Sequence, residues 1–246
     1  MNSIILIPAR MGSSRLPGKP LAEIAGLPMI AQVMKRGQQA RLGPVLVAAA
    51  EEEIVQAVRA AGGEAVLTDP ALPSGSDRIA AALAQYDPDG RFDVIINLQG
   101  DLPVIDPEDI RRCARALEET DADIATLAAP ITSAEEEASP NVVKAIAPLA
   151  EHGIALAEDF RREVEPGAGP YFHHIGIYAY RRSALERFVA LPPSRRETQR
   201  KLEQMRALDN GMRIAVARVT QAPFGVDTPE DLERARRILQ GEGAEQ

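Results

Sequence analysis

The chain has little of what several classes of protein require. Its 246 residues include a single cysteine, Cys113, so an internal disulfide framework is excluded and a reducing cytoplasm is favoured. No apolar run approaches the length of a membrane span, and no signal peptide precedes Ile4. The formal net charge of −8 disfavours nucleic acid and anionic membranes as partners. We therefore expect a soluble cytoplasmic protein in which Cys113 is a packing residue of a helix.

Two common nucleotide-binding motifs are also absent, the P-loop and the dinucleotide fingerprint. Residues 7–20 offer a different solution, because they place three cations, two glycines and three prolines directly after the apolar run 4–7. A loop of this composition at the end of a strand can direct backbone N–H groups and positive charge at a triphosphate. The alternative is a surface loop whose basic residues are simply solvated. An acidic protein that binds a nucleotide must concentrate its cations in this way.

Strand and helix patterns alternate along the first half of the chain and become less regular after residue 131. This alternation predicts an α/β fold with a mostly parallel sheet that has helices on both faces. Strands are predicted at 4–7, 45–49, 64–67, 92–98, 122–128, 142–147, 174–180 and 213–219. Helices are predicted from Glu51 to the glycines at 62–63, around Arg78 with Ser76 as a possible cap, from Asp106, at 181–190, at 194–209 and from Thr228.

Two aspartates follow predicted strands and are candidate metal ligands. Asp101 comes soon after the buried strand 92–98 and directly after a glycine, and Asp227 lies at a predicted strand end before the last helix. Two carboxylates beside a triphosphate suit Mg²⁺, which binds few protein ligands and bridges phosphate oxygens. Asp227 could instead be only part of the helix start. The chain offers no plausible Ser–His or Cys–His nucleophile, which fits phosphoryl-type transfer by alignment and charge neutralisation.

Seven segments, in order along nearly the whole chain, resemble the 3-deoxy-manno-octulosonate (KDO) cytidylyltransferase family. They are IPARMGSSRLPGKP at 7–20, PSGSDRI at 73–79, NLQGDLP at 97–103, ATLAAPI at 125–131, HHIGIYAY at 173–180, KLEQMRAL at 201–208 and GVDTPEDLERAR at 225–236. The resemblance implies a nucleotide-diphospho-sugar-transferase-like single domain, 1–246. Within it, 1–130 would be the nucleotide-binding half and 131–240 a sugar-binding and dimerisation lobe with the C-terminal helix, followed by a tail at 241–246. A homodimer is the implied assembly.

The resemblance also implies an activity: coupling of CTP to KDO to give CMP-KDO and pyrophosphate, for lipopolysaccharide biosynthesis. Residue by residue, it assigns Arg10, Lys19 and Asp101 to catalysis, and Asp101 and Asp227 to Mg²⁺, leaving open whether Asp101 is also the general base. The implied nucleotide contacts are Pro8, Ala9, Arg10, Ser13, Arg15, Lys19, Ser74, Gly75, Arg78 and Gln99. The implied contacts to the acidic 2-keto-3-deoxy sugar are His174, Tyr178, Glu203 and Gln204.

The sequence departs from the family pattern at four places: Ala50, Leu102, the segment 157–160 and Arg200. Most of these lie on the expected acceptor side, whereas the triphosphate and metal motifs are intact. A cytidylyltransferase for a related acid sugar, such as 8-amino-KDO or another ulosonic acid, is therefore an alternative. A non-catalytic nucleotide-binding protein is a second alternative, and the retention of Arg10, Lys19, Asp101 and Asp227 argues against it.

Overall fold

A computed structural model describes residues 1–12, 15–151, 153–165 and 167–241. The chain forms two compact units. Unit 1 comprises residues 1–110 together with the chain from Pro223 onward, and unit 2 comprises residues 111–222. The C-terminal helix thus belongs to unit 1. The division into a nucleotide-binding half and a sugar-binding lobe stays a prediction.

Strands and helices alternate through much of the chain, as the sequence pattern predicts. The strands are β1 Ser3–Ala9, β2 Glu23–Ile24, β3 Leu27–Pro28, β4 Val45–Ala49, β5 Glu64–Leu67, β6 Val94–Asn97, β7 Ile124–Pro130, β8 Lys144–Ile146, β9 Ile154–Leu156, β10 Asp159–Arg161, β11 Phe172–Arg181 and β12 Ile214–Arg218. The helices are α1 Met29–Ala40, α2 Glu52–Ala60, α3 Gly75–Tyr86, α4 Pro107–Glu118, α5 Ala134–Ala138, α6 Arg182–Ala190, α7 Arg195–Arg200, α8 Met205–Asp209 and α9 Pro229–Leu239, with a 3-10 turn at Lys19–Leu21.

Unit 1 is built on four parallel strands in the order β5-β4-β1-β6. All five residues of β4 and all four of β6 are buried, as expected of parallel strands covered on both faces. Ala9 pairs with Ala49 at the carboxyl ends of β1 and β4. These ends form the edge of the sheet at which α/β folds place ligands.

The last helix packs against the beginning of the chain within unit 1. Leu232 and Ala235 of α9 join Ile24, Met29 and Val226 in one buried apolar cluster. Thr228 and Asp231 form a capping box at the start of α9, as the sequence predicts, with Pro229 at the first helical position. This packing fixes the segment that precedes α9, including Asp227.

Unit 2 combines parallel and antiparallel pairs. Strand β12 runs parallel to β7, whereas β11 is antiparallel to β7 and β9 is antiparallel to β12. Strand β10 pairs with β8, and β8 pairs with β11. The register of β11 against β7 shifts between Ile175 and Tyr178, which marks a bulge.

Three local predictions need correction. Ser74, not Ser76, caps α3, because the Ser74 hydroxyl accepts a hydrogen bond from the Asp77 N–H while Ser76 is buried in the first turn. The helix predicted at 194–209 is two helices, since Lys201 adopts a left-handed conformation (φ 55°) that ends α7. Asp227 does not follow a strand, because the residues directly before it are irregular. Helices α1 and α5 and strands β2, β3, β9 and β10 lie where no element is predicted. The predicted tail falls largely outside the described residues.

No helix in the described ranges is long and apolar enough to cross a membrane.

Candidate active site

A cavity of about 410 Å³ opens in unit 1 at the carboxyl ends of β1 and β6. It is lined by the predicted nucleotide and metal residues that the structure describes: Pro8, Ala9, Arg10, Arg15, Lys19, Ser74, Gly75, Arg78, Gln99, Asp101 and Asp227. Ser13 lies outside the described residues. Residues more than two hundred positions apart in sequence thus converge on one site.

Lys19 is the centre of an ion-pair network in this cavity. Its ammonium nitrogen lies 3.2 Å from Oδ2 of Asp101 and 2.9 Å from Oδ1 of Asp227. Arg15 pairs with the other oxygen of Asp227 at 2.9 Å. Burial acts to raise the pKa of Asp227, but the hydrogen bonds and charges of Lys19 and Arg15 outweigh it, and the net pKa is lowered. Because Lys19 contacts both Asp101 and Asp227, the two carboxylates are close enough to bind the same cation.

The backbone brings these side chains together. Gly18 adopts φ 68°, a left-handed conformation that favours glycine, and it starts the turn that carries Lys19. A Cβ on Gly100 would lie 2.9 Å from the carbonyl oxygen of Pro8, so only glycine fits between the ends of β1 and β6. The Val226 N–H donates to the Asp101 carbonyl at 2.9 Å and links the segments that carry the two aspartates.

Gln99 and Gly75 lie beside Pro8 at one side of the cavity. The Gln99 amide donates to Oδ1 of Asn97 at 2.9 Å, which fixes its orientation. A Cβ on Gly75 would lie 3.3 Å from Cγ of Pro8, a tight contact for any larger residue. This wall of the cavity has the apolar ring of Pro8 next to an oriented amide, a combination suited to a nucleobase.

Arg78 differs from the other cations because it is buried, with 2% of its surface exposed. Its Nη1 donates to Oγ1 of Thr68 at 2.7 Å and to the Asp69 carbonyl at 3.1 Å. Burial is the largest influence on its guanidinium and lowers its pKa. Arg78 therefore holds the segment after β5 in place while it lines the cavity.

Glu51 is a residue of this region that sequence reasoning missed. Oε2 of Glu51 accepts a hydrogen bond from the backbone N–H of Met11 at 2.9 Å. In the sequence, Glu51 is the first of three consecutive glutamates at the start of a predicted helix. The pattern therefore assigns no individual role to any of the three. No sequence signal distinguishes Glu51 from Glu52 and Glu53, which are exposed.

The four predicted sugar contacts lie in unit 2. The rings of His174 and Tyr178 are 5.6 Å apart, and the ring of Phe160 meets His174 edge-on at 4.9 Å. Burial lowers the pKa of His174 to about 3 and raises that of Tyr178, so both side chains are neutral near pH 7. Glu203 also acts to raise the pKa of Tyr178, which places its carboxylate in electrostatic range of that hydroxyl.

Thr126 fixes the orientation of His174. Its buried hydroxyl lies 2.7 Å and 3.0 Å from the carbonyls of Ile177 and Ile175, at the bulge of β11. Because the hydroxyl donates to a carbonyl, it accepts from Nε2 of His174 at 3.1 Å. Since burial lowers its pKa, the imidazole is neutral near pH 7, and its single ring proton is on Nε2.

Gln204 is the fourth predicted sugar contact. It is 7% exposed, and its buried Nε2 has no hydrogen-bond partner among the described residues. A buried amide donor without a partner is rare in proteins and indicates an external acceptor.

Comparison with known proteins decides the family. The sequence profile of the Cytidylyltransferase family matches residues 4–214. The 3-deoxy-manno-octulosonate cytidylyltransferase of Parvibaculum lavamentivorans is 60% identical over 96% of this chain and 92% of its own length. The chain belongs to this cytidylyltransferase family. The enzyme of the same name from Rhodospirillum rubrum is 58% identical over 96% of this chain and 95% of its own length.

Solved structures agree with this cytidylyltransferase assignment. CMP:2-keto-3-deoxy-manno-octonic acid synthetase, solved in complex with CTP, is 38% identical with a TM-score of 0.89, covering 98% of this chain and 100% of that chain. A cytidylyltransferase from Leptospira borgpetersenii is 18% identical with a TM-score of 0.63, covering 98% and 87%, and shows the shared fold alone. The predicted α/β, nucleotidyltransferase-type fold is confirmed.

Three departures from the family pattern lie at buried or ion-paired positions in this cytidylyltransferase. Ala50 is 5% exposed, and its N–H donates to the Ala9 carbonyl at 2.9 Å. Leu102 is 6% exposed and takes part in the core. Arg200 pairs with Asp159, 2.6 Å from its Oδ1, so two departures contact one another.

Proposed function

We propose that this chain couples CTP to KDO, forming CMP-KDO and pyrophosphate. The anomeric hydroxyl oxygen of the acid sugar forms a bond to the α-phosphorus and gives up its proton to Asp101 or to water, while the bond from that phosphorus to the pyrophosphate oxygen breaks. The observation that carries the proposal is the convergence of Lys19, Asp101 and Asp227 in a cavity lined by Arg10 and Arg15. Relatives at 58–60% identity over nearly the whole chain bear the name of this activity.

The cations of the cavity would act on the triphosphate. Arg10 is exposed, and both Arg10 and Lys19 line the cavity, so both side chains can meet phosphate oxygens. Fixed cations aimed at the leaving pyrophosphate stabilise the negative charge that grows on it. Arg15 would assist by neutralising Asp227, with which it pairs. Alignment and electrostatics suffice for this chemistry, and no covalent intermediate with the protein is required.

We assign the metal-binding role to Asp101 and Asp227 and propose Mg²⁺ as the ion. The described residues contain no group of three or more acidic, histidine or cysteine side chains that could hold a metal. Two carboxylates fit an ion that takes its remaining ligands from water and substrate phosphates. When bound, such an ion polarises the α-phosphate and lowers the pKa of the attacking hydroxyl.

The acceptor sugar is assigned to the unit 2 cluster of His174, Tyr178, Glu203 and Gln204. The buried Nε2 of Gln204 is a hydrogen-bond donor without a partner among the described residues. The carboxylate and hydroxyls of an acid sugar can accept a hydrogen bond from it. Neutral His174 can accept from a sugar hydroxyl through Nδ1, because its Nε2 donates to Thr126, and the Tyr178 hydroxyl can donate or accept. The neutral groups of this cluster, His174, Tyr178 and Gln204, favour a polyhydroxylated ligand.

The remaining parts of the proposal concern assembly and location. By resemblance to its family the chain acts as a homodimer in the cytoplasm. The net charge of −8 favours small anionic substrates bound by local cations over nucleic acid or an anionic membrane. Analytical ultracentrifugation would measure the mass of the assembly directly.

The deciding experiment measures pyrophosphate release from CTP and Mg²⁺ with KDO, 8-amino-KDO or sialic acid as acceptor. We expect release with KDO, abolished in Asp101→Asn and retained in Asp89→Asn, an exposed control outside the cavity. Pyrophosphate release with only 8-amino-KDO or sialic acid would leave the proposed mechanism intact and show that the acceptor is not KDO. Binding of CTP without release with any acceptor would contradict the proposed activity.

A further inference from the structure

Glu51 occupies the N-cap of α2, yet its side chain does not cap that helix. Its carboxylate turns away and accepts the Met11 N–H at 2.9 Å. Glutamate is a poor N-cap in any case, because serine, threonine, aspartate and asparagine have the reach that capping requires. The position of Glu51 is therefore explained by its contact with the loop after β1.

The contact completes a backbone clamp around Arg10. On one side of Arg10, the Ala9 carbonyl accepts from the Ala50 N–H at 2.9 Å. On the other side, the Met11 N–H donates to Glu51 at 2.9 Å. Consecutive residues 50 and 51 thus hold both peptide groups that flank Arg10, whose side chain is exposed and lines the cavity.

A carboxylate beside a triphosphate site is electrostatically unfavourable, so its presence there needs a compensating role. Burial lowers the pKa of Arg78, Arg10 lowers it further, and Glu51 opposes both by raising it. Glu51 therefore lies among the cations of the cavity and offsets part of their mutual repulsion. The carboxylate both anchors the loop and allows two arginines to line one cavity.

We propose that Glu51 is a positioning residue that aims Arg10 at the triphosphate of the nucleotide. The inference deepens the proposed function and rests on it, since Arg10 is taken to meet phosphate oxygens. Glu51 itself contacts backbone and need not touch the nucleotide. Loss of its carboxylate releases the Met11 peptide and lets the Arg10 side chain sample directions that miss the phosphates.

The test compares Glu51→Ala, Glu51→Gln and the matched control Glu53→Ala by calorimetric titration with CTP and by the KM for CTP. Glu53 is exposed in the first turn of the same helix, so its loss removes the same charge without the contact. We expect Glu51→Ala to weaken CTP binding and raise KM roughly tenfold, the usual effect of losing one charge-assisted hydrogen bond. Glu51→Gln, whose amide oxygen can still accept from Met11, should stay within about threefold of the parent.

A double variant separates positioning from a general structural effect. If Glu51 acts through Arg10, Glu51→Ala has no further effect on CTP affinity in the Arg10→Ala background. The inference would be overturned if Glu51→Ala lowered CTP affinity equally in the parent and Arg10→Ala backgrounds, or if Glu51→Ala behaved like Glu53→Ala. Either result would leave the proposed function intact, because the parent enzyme still binds CTP. Failure of the parent to bind CTP would overturn the proposed function as well. Thermal unfolding of each variant verifies that it is folded.

Discussion

Lys19 holds Asp101 and Asp227 through one ammonium group, and its replacement by methionine separates two roles of this residue. The ammonium is an internal counter-ion of the two carboxylates proposed to bind Mg²⁺. A divalent ion must compete with it unless phosphates draw Lys19 away. Without nucleotide, Lys19→Met should therefore bind a divalent metal more tightly than the parent enzyme.

The magnitude follows from the two contacts. The Lys19 side chain is 15% exposed, but those of Asp101 and Asp227 are 33% and 42% exposed, so solvent weakens both pairs. We take about 1 kcal/mol for each, the upper end for pairs of this exposure. Loss of about 2 kcal/mol of competition corresponds to roughly 30-fold tighter metal binding. Arg15 still pairs with Asp227, which sets this figure as an upper value.

The assay titrates Mn²⁺, a spectroscopic substitute for Mg²⁺, and measures the free ion by electron paramagnetic resonance without nucleotide. Lys35→Met, an exposed lysine of α1, is the matched control and should leave the affinity unchanged. The same Lys19→Met variant should lose roughly 10²- to 10³-fold in turnover, because a cation that stabilises the leaving group is gone. An affinity for Mn²⁺ that is unchanged or weaker in Lys19→Met would show that Lys19 does not compete with the metal. The metal would then bind at a site other than Asp101 and Asp227.

Three further predictions concern stability and reactivity. Ser74→Ala removes the cap of α3 and should lower the free energy of unfolding in urea by about 1 kcal/mol. Burial lowers the pKa of His174 to about 3, so below pH 6.5 the unfolded chain binds a proton at this residue and the folded chain does not. The free energy of unfolding should therefore fall by about 1 kcal/mol between pH 7 and 5.5. The fall should be smaller in His174→Gln. Burial raises the pKa of the Cys113 thiol, so a thiol reagent such as DTNB should modify it only after unfolding, and fast reaction in the native protein would contradict the buried position.

The nucleotide side of the structure could be predicted because its signals are local. Apolar runs such as 45–49 are too short for helices and are bounded by polar residues, so they identify buried strands. The carboxyl ends of parallel strands lie at the same edge of a sheet. We therefore expect the cations after β1 and the carboxylate after β6 to lie together at that edge. Their convergence in one cavity follows from topology.

Other features depend on contacts that a linear pattern does not encode. The carboxylate of Glu51 meets a peptide 40 positions earlier, and nothing in its acidic run indicates that direction. The break between α7 and α8 depends on the left-handed conformation of Lys201, a residue type that ordinarily favours helix. Strand β10 contains Asp159 and Arg161, which lack the apolar alternation of a predicted strand, and it forms because β8 offers a partner.

Asp159 and Arg200 bear on the choice of acceptor sugar. Both are departures from the family pattern, and each alone would change the charge of the region predicted to bind the sugar. In the structure, Nη1 of Arg200 lies 2.6 Å from Oδ1 of Asp159 and 2.8 Å from the Phe160 carbonyl. Burial acts to raise the pKa of Asp159, but Arg161 and Arg200 outweigh it and keep the carboxylate ionised. Arg200 therefore helps to neutralise Asp159, together with Arg161 and Arg196. Arg200 also supports the backbone of Phe160, whose ring packs on His174. The charges of Asp159 and Arg200 are thus paired with one another within unit 2, so these two departures favour no acceptor of different charge over KDO.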